Sequence, residues 1–342
     1  MKSAPSNTVL SCYVEEAPDK SPFIIELDHA MPCGVCPNMN DEEFPVLIVT
    51  EKDYELSLNE TMGSKYKFWF QHQSLGRCLY KQARLSLGED WAEKVASELC
   101  ELLGLPHAVY ELAETWEGNR GVVSAYFLPE GGTLVHGNEI LTPIVPNYPT
   151  FITYGASQHT IDIVLGAIEV DYVNLPINWA VPNGIQTAVE VFVGYLLLDA
   201  WIGNGDRHHE NWGFVRNKTA STNTETIHLA PTYDHASCLG RDLSDEKRQK
   251  RSVEAYANKC LSAFYSSVDD KKPLKTFDVF HRVQELYPMA AHVWLSRLKS
   301  VSKANILEIF SRIPNTRIST IAIEFAIKIL EFNKDRLLNL RK

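Results

Sequence analysis

The stretch GNGDRHHEN at residues 203–211, followed by APTYD at residues 230–234, decides how this 342-residue chain is interpreted. It places Asp206 five positions before Asn211, with Asp234 following after a predicted hairpin. Phosphotransfer needs a carboxylate that orients the accepting hydroxyl and two oxygen ligands that hold Mg²⁺ against the phosphates. Because kinase catalytic loops supply these groups at this spacing, the sequence predicts phosphotransfer from a nucleotide.

The segments around this stretch are predicted to hold it in place. Residues 186–202 are hydrophobic almost all round, which is typical of a helix buried in a core. A hairpin predicted from residues 212–216 and 226–229 brings Asn211 and Asp234 to one metal ion. Since Mg²⁺ keeps several waters and is shared with substrate phosphates, two protein ligands suffice. Each aspartate alone is more simply a loop cap, so the prediction depends on the combined spacing.

A lysine upstream lies on a predicted strand. Residues 66–71 and 77–82 read as two strands of a hairpin, on which Lys81 projects from the same face as Leu79, toward the inside of a small sheet. Lysines normally stay in water unless they meet an anion. The bland alternative is an edge-strand lysine whose ammonium group reaches solvent.

The next element supplies a glutamate for this lysine. A helix is predicted to begin at residues 88–90, with acidic residues at its positive end, and to end at Gly104. Glu93 lies on the face with the small residues Ala96 and Cys100, where another segment has room to approach. Kinases hold the phosphate-contacting lysine with such a glutamate. Glu98 is the alternative candidate for this role. The third interpretation is that these glutamates are ordinary surface charges.

The nucleotide itself is predicted to bind beside two further segments. Residues 108–112 and 121–128 read as strands, and the break PEGG at residues 129–132 is the predicted hinge. Backbone groups near Phe127 and Leu128 are then placed to meet an adenine edge. No GxGxxG motif precedes Lys81, and the nearest equivalent, TMGSK at residues 61–65, has one glycine. Backbone N–H groups at Gly63 and Ser64 are predicted to cradle phosphates.

Composition agrees with a soluble enzyme of more than one lobe. The length exceeds the range in which one core usually keeps growing, so two lobes are expected. A net charge of -10 argues against a nucleic-acid ligand, which needs clustered Lys and Arg. The first ten residues have no leader-like pattern, and the longest apolar run, residues 191–198, is too short to span a bilayer. We therefore expect a cytoplasmic protein that binds neither membrane nor nucleic acid.

The amino-terminal 43 residues are rich in Pro and Gly and read as an appendage. The chain has seven cysteines, an odd number that favours ordinary thiols in a reducing compartment. Cys33 and Cys36 form a single CxxC. Because one such pair without a second is a weak zinc signal, a loop with free thiols is the preferred reading.

These motifs resemble a known family. The segments GNGDRHHENWG (residues 203–213) and LAPTYDHASCLG (residues 229–240) are similar to the carboxy-terminal signature of HipA-like serine/threonine kinases. LYK at residues 79–81, GEDWAE at residues 88–93 and LGLP at residues 103–106 resemble the amino-lobe segment of compact HipA-domain proteins. YDH at residues 233–235 replaces the usual DFG motif of protein kinases, as suits the HipA pattern.

The resemblance implies an α+β, two-lobed protein-kinase-like fold. We expect a β-rich amino-terminal lobe with one helix at residues 44–128 and a mainly helical lobe at residues 129–342. The resemblance also implies an enzyme dependent on ATP and Mg²⁺ that phosphorylates Ser or Thr of a protein substrate. The roles it implies are a catalytic base at Asp206 supported by His208, metal ligands at Asn211 and Asp234, and a phosphate contact at Lys81.

Family knowledge adds a biological setting. Family members are often the toxin of a toxin–antitoxin pair and act on a translation component, so a small helix-turn-helix antitoxin is an implied partner. Autophosphorylation in the phosphate loop is implied as well, with Thr61 and Ser64 as candidates.

Two alternatives stay open. The loop at residues 206–211 is also similar to that of phosphoinositide kinases, so the acceptor could be a lipid or a small molecule; a membrane-facing enzyme should, however, offer a more basic surface. A catalytically inactive, kinase-like binding module is the second alternative, against which the retention of Lys81, Asp206, Asn211 and Asp234 speaks.

Overall fold

Strands dominate the first part of the described residues and helices the rest. The computed structural model describes residues 42–55, 58–59, 66–219 and 224–340. Gly63 and Ser64, with Thr61, lie outside the described residues, as do Cys33 and Cys36 with most of the predicted appendage.

The described residues form ten strands and eleven helices. They are β1 (Val46–Val49), α1 (Glu51–Glu55), β2 (Leu58–Asn59), β3 (Lys67–His72), β4 (Gly76–Gln82), α2 (Glu89–Leu103), β5 (Tyr110–Thr115), β6 (Arg120–Ala125), β7 (Gly132–His136), α3 (Gly137–Leu141), α4 (Ile161–Ile168), β8 (Val173–Asn174), α5 (Ala188–Ile202), β9 (Gly213–Thr219), β10 (Thr224–Leu229), α6 (Asp245–Lys250), α7 (Val253–Ala257), α8 (Thr276–Leu286), α9 (Pro288–Ser300), α10 (Lys303–Ser311) and α11 (Thr320–Leu338).

The first sheet has six strands in the order β1-β5-β6-β4-β3-β2. The predicted hairpin around residues 72–76 is confirmed, since β3 pairs antiparallel with β4. Because β4 also pairs with β6, Lys81 lies on an inner strand, between Lys67 and Val122. Cys78 and Tyr80 are buried on the opposite face. Helix α2 packs against β5 and β6 and so lies beside the strand that carries the lysine.

A second sheet, in the order β7-β9-β10-β8, contains the predicted hairpin of residues 212–229 as β9 and β10. The PEGG segment separates β6 of the first sheet from β7 of the second, and the N–H of Gly132 bonds to Pro129 O at 2.8 Å. Strand β7 itself was not predicted. The division into two lobes at residues 128 and 129 stays a prediction.

Helix α5 forms the centre of the helical part. It contacts α8, α9 and α11, and nearly all of its side chains are buried, as its apolar sequence predicts. A capping box begins it, in which the Thr187 N–H donates to Glu190 Oε2 at 3.0 Å, and Gly203 ends it at φ 67°. The helix therefore delivers the following loop from a fixed position.

Within the described ranges, no helix is long and apolar enough to cross a membrane.

Candidate active site

One cleft of about 260 Å³ contains most of the predicted site. The predicted residues that line it are Lys81, Phe127, Asp206, His208, Asn211 and Asp234. Glu93 and Leu128 do not line this cleft, although Glu93 lines a small neighbouring cavity together with Lys81. Residues that lie far apart in the sequence therefore converge on one space.

A buried arginine fixes the loop that carries the proposed base. The Arg207 guanidinium donates to both carboxylate oxygens of Asp199 on α5, at 2.7 Å from Nη2 and more closely from Nε. Its Nη1 donates to Thr232 Oγ1 at 2.9 Å and to the Asn211 carbonyl at 3.3 Å. Burial alone would lower the pKa of Arg207, but the Asp199 carboxylate outweighs it and raises that pKa. The arginine therefore ties α5, the loop and the segment after β10 together as a permanent cation.

This pair was not predicted, although the sequence contains a signal for it. Asp199 is the single charge in the apolar second half of α5, and a buried carboxylate needs a partner. Asn204 provides a further contact, because its amide donates to Asp199 Oδ1 at 2.8 Å.

Both carboxylate oxygens of Asp206 accept hydrogen bonds. Tyr154 donates to Oδ1 at 2.9 Å and Ser237 donates to Oδ2 at 3.0 Å. Neither donor was predicted from the sequence. The Asn211 amide nitrogen donates to the Asp206 carbonyl at 2.6 Å, so the carbonyl oxygen of the Asn211 side chain is the atom left to serve as a ligand.

His208 supports the turn of this loop. The Glu210 N–H donates to its Nδ1 at 3.2 Å, and its Nε2 lies 3.8 Å from Asp206 Oδ1. The ring meets the Tyr154 ring edge to face, with 5.4 Å between the centroids. These contacts hold the ring against its own loop, and the supporting role of His208 stays a prediction.

Lys81 pairs with Asp234. The two side chains are 3.2 Å apart, from Nζ to Oδ2, and Nζ also donates to the Tyr110 hydroxyl at 3.4 Å. Lys81 is 8% exposed, so the edge-strand alternative is wrong. Burial alone would lower its pKa, but the Asp234 carboxylate, with smaller contributions from Tyr110 and then Glu93, outweighs this effect and raises the pKa. Lys81 is therefore a buried cation.

The predicted Lys81–Glu93 pair is replaced by a different contact. Glu93 is 1% exposed, and its Oε1 accepts a hydrogen bond from the His235 N–H at 2.6 Å. Within the described chain, the structure shows no ion pair between Glu93 and Lys81. The expected room for another segment beside Glu93 does exist, and the segment that fills it carries the N–H that the carboxylate binds. The rival Glu98 pairs with Lys94 at 2.7 Å instead.

Asp234 adopts an uncommon backbone conformation. Its φ is 58°, in the left-handed region, which costs a non-glycine residue about 1–2 kcal/mol and which Asp tolerates better than most residues. The N–H of Asp234 donates to the Tyr110 hydroxyl at 3.2 Å, the same oxygen that accepts from Lys81. Tyr110, on β5, thus positions both members of the pair, and sequence reasoning missed it.

The far wall of the cleft is apolar and aromatic. Phe127 stacks on Tyr233 with the centroids 6.2 Å apart, and the Tyr233 hydroxyl donates to the Glu210 carbonyl at 3.0 Å. The N–H groups of Phe127 and Leu128 have no acceptor in the part of the chain that the structure describes. Unpaired backbone groups beside an apolar cleft are suited to a ligand with hydrogen-bonding edges. The Leu128 side chain packs against the buried cluster that contains Tyr110 and Tyr233 and does not line the cleft.

Comparisons with known proteins show what the chain is similar to. No protein-family model matches the chain. A segment of 59 residues is 37% identical to the serine/threonine-protein kinase CtkA of Helicobacter pylori, and the match covers 17% of either protein. The crystal structure of the H. pylori proinflammatory kinase CtkA superimposes with a TM-score of 0.64 at 21% identity, over 87% of this chain and 100% of that one.

HipA provides the second comparison. The Shewanella oneidensis HipA chain, solved with HipB and operator DNA, covers 83% of this chain and 67% of its own at a TM-score of 0.53 and 11% identity. The chain has the fold of a HipA-like kinase. The resemblance found in the sequence is thereby confirmed, together with a mixed α/β, kinase-like architecture. The match to the curated CtkA spans about a sixth of that protein's length.

Proposed function

We propose that this chain is an ATP- and Mg²⁺-dependent serine/threonine protein kinase. The observation that carries the proposal is the convergence of Lys81, Asp206, Asn211 and Asp234 on one cleft. Their types and chain order are those that phosphotransfer from a nucleotide requires.

The residues present fit a magnesium ion. Asn211 and Asp234 offer a carbonyl and a carboxylate oxygen in the same cleft, which are ligands that Mg²⁺ prefers. Among the described residues no group of three or more His, Cys, Asp or Glu converges as a metal cage. A two-ligand set suits an ion that keeps its waters and shares substrate phosphates. When bound, the ion would neutralise charge on the phosphates.

The chain's own residues divide the remaining work. Asp206 orients the acceptor hydroxyl and takes its proton, and Arg207 holds the loop so that this carboxylate is already in place. Lys81 supplies a positive charge to the phosphates. The N–H groups of Phe127 and Leu128 donate hydrogen bonds to the adenine edge of the nucleotide. The contacts of these residues support these roles.

The test is Asp206→Asn, which keeps the shape of the side chain and removes its negative charge. We expect transfer of labelled γ-phosphate to fall by on the order of a hundredfold or more, with an unchanged thermal unfolding midpoint. The exposed Asp171→Asn on the turn after α4 is the matched control and should keep full activity. Equal activity of Asp206→Asn and the wild type would refute the assignment of the base.

Finer parts of the proposal rest on resemblance alone. We propose a cytoplasmic protein with two lobes that meet at residues 129–132, a Ser/Thr-containing protein substrate, autophosphorylation within residues 61–65, and a toxin role with a small helix-turn-helix antitoxin. Mass spectrometry of the protein incubated with ATP tests autophosphorylation, and co-purification with a product of the neighbouring gene tests the antitoxin.

A further inference from the structure

Both oxygens of the Asp206 carboxylate accept hydrogen bonds from the chain itself. Tyr154 and Ser237 each donate to one of its oxygens, at 2.9 and 3.0 Å. A general base must reach the acceptor hydroxyl at a heavy-atom distance of about 2.6–3.2 Å. A carboxylate oxygen can accept two hydrogen bonds, so each donor takes one of the positions from which an acceptor hydroxyl could contact the base.

Ser237 is the anchored donor. Its oxygen also accepts from Arg241 Nη2 at 3.1 Å, and Nη1 of the same arginine is held by Glu89 at 2.9 Å. Its neighbours Ala236 and Cys238 are buried. Displacing Ser237 would disrupt this chain of contacts back to the first turn of α2.

Tyr154 is the weakly held donor. It is 68% exposed and stands in a segment whose other large side chains, Phe151 and Ile152, are 96% and 55% exposed. In the described chain, the backbone N–H groups of Thr153, Tyr154 and Gly155 have no acceptor, and the Thr153 hydroxyl reaches Glu210 at only 3.4 Å. Few buried contacts and few backbone hydrogen bonds mark a segment that opens easily.

The segment nevertheless lies inside the cleft. Thr153 and Tyr154 line the same space as Lys81, Asn211 and Asp234. The Tyr154 ring is held edge to face on His208 in the loop that carries the base. We propose that the Tyr154 hydroxyl occupies the acceptor-hydroxyl position in the free enzyme, and that an acceptor binds by displacing it. The inference rests on the proposed kinase function and adds a self-blocking residue to that site.

Water is the acceptor that tests this proposal without knowledge of the natural substrate. Tyr154→Phe removes only the competing hydroxyl, and Tyr154→Ala removes the ring as well. We expect the rate of ATP hydrolysis to rise about 3- to 10-fold in Tyr154→Phe, because a net hydrogen bond has a modest free energy, and to rise further in Tyr154→Ala. With dephosphorylated casein as the acceptor, KM for casein should fall while KM for ATP stays constant.

Tyr172→Phe is the matched control, since Tyr172 is similarly exposed and does not line the cleft. Thermal unfolding checks that each variant is folded, and Tyr154→Phe suffices if Tyr154→Ala is not. A lower or equal rate of hydrolysis in Tyr154→Phe would overturn the proposal, because the hydroxyl would then position Asp206 or do nothing. Phosphate found on Tyr154 would also overturn it. Absence of turnover in every variant and in the wild type would instead contradict the kinase assignment.

Discussion

At the scale of single residues, the site depends on buried charges that have been given partners. Lys81 with Asp234 and Arg207 with Asp199 are the two cases in and below the cleft. Leaving one member of such a pair without the other costs far more than breaking a pair at the surface, because water cannot replace the missing partner. Arg207 offers the sharper test, since it does not line the cleft itself.

Arg207→Leu should lower the free energy of unfolding by about 3–5 kcal/mol, because it leaves Asp199 buried and unpaired. Urea denaturation measures this loss. Arg282→Leu is the control, as Arg282 binds Asp162 through two nitrogens on the surface. An exposed pair contributes about 0–1 kcal/mol. Similar losses of unfolding free energy for the two variants would show that burial does not increase the contribution of the Arg207–Asp199 pair to stability. If Arg207→Leu does not fold, Arg207→Lys serves in its place. This variant keeps the positive charge but loses the guanidinium group that binds the carboxylate through two nitrogens.

At the scale of elements, α5 is packed so closely that there is no room for a side chain at Gly194. A Cβ on Gly194 would lie 2.6 Å from the Trp294 ring and 2.7 Å from Leu105, whereas a Cβ on Gly166 in α4 would meet nothing within 4 Å. Both glycines stand inside helices, so they share the same backbone preference and differ in the space beside them.

We therefore expect opposite results from the same substitution. Gly166→Ala should stabilise the protein by about 0.5–1 kcal/mol, the helix propensity gain. Gly194→Ala should destabilise it by about 1–3 kcal/mol, because overcrowding of the core exceeds that gain. Thermal and urea unfolding measure both changes. Two stabilised variants would show that the contact between α5 and α9 tolerates an added methyl group.

The elements differ in how far the sequence predicts them. β3, β4 and α2 were found within about two residues because their apolar residues recur with the period of a strand or a helix, and α5 because its long apolar run is typical of a buried helix. Strand β7 was missed, since its pairing with β9 joins distant residues and its sequence borders the PEGG turn.

The site was predictable only in part for the same reason. Side-chain types and spacing indicated Lys81, Asp206, Asn211 and Asp234. The contact of Lys81 with Asp234 depends on the left-handed backbone at Asp234, and the bond from Tyr154 to Asp206 depends on the path of an irregular segment. Neither leaves a periodic signal in the sequence.

At the scale of the whole molecule, buried neutral histidines set the response to acid. Trp212 donates to His159 Nε2 at 3.1 Å, and His159 Nδ1 bonds to the Ala263 carbonyl at 2.9 Å. Burial lowers the pKa of His159 to about 3, and burial followed by the neighbouring His208 lowers the pKa of His209 to about 4. Both rings therefore stay neutral in the fold under conditions that protonate an unfolded chain.

Stability should fall as the pH drops below about 6.5, the ordinary pKa of histidine. Below that pH the unfolded state binds protons that the folded state does not bind. Each such histidine therefore lowers the free energy of unfolding by about 2 kcal/mol at pH 5. Urea denaturation at pH 7 and pH 5 measures the change. His159→Gln should reduce the difference between the two pH values by about 2 kcal/mol, and His281→Gln, at an exposed position, should not. Parallel pH profiles for all three proteins would contradict this account.

The contact between Lys81 and Asp234 has a consequence for the order of events in the whole enzyme. Lys81 is proposed to contact the nucleotide and Asp234 to bind the metal, and before either ligand binds their charges neutralise each other. The binding of one ligand alone would separate the pair and leave the other charge without a partner. Magnesium and the nucleotide should therefore each raise the affinity of the protein for the other, so that they bind cooperatively.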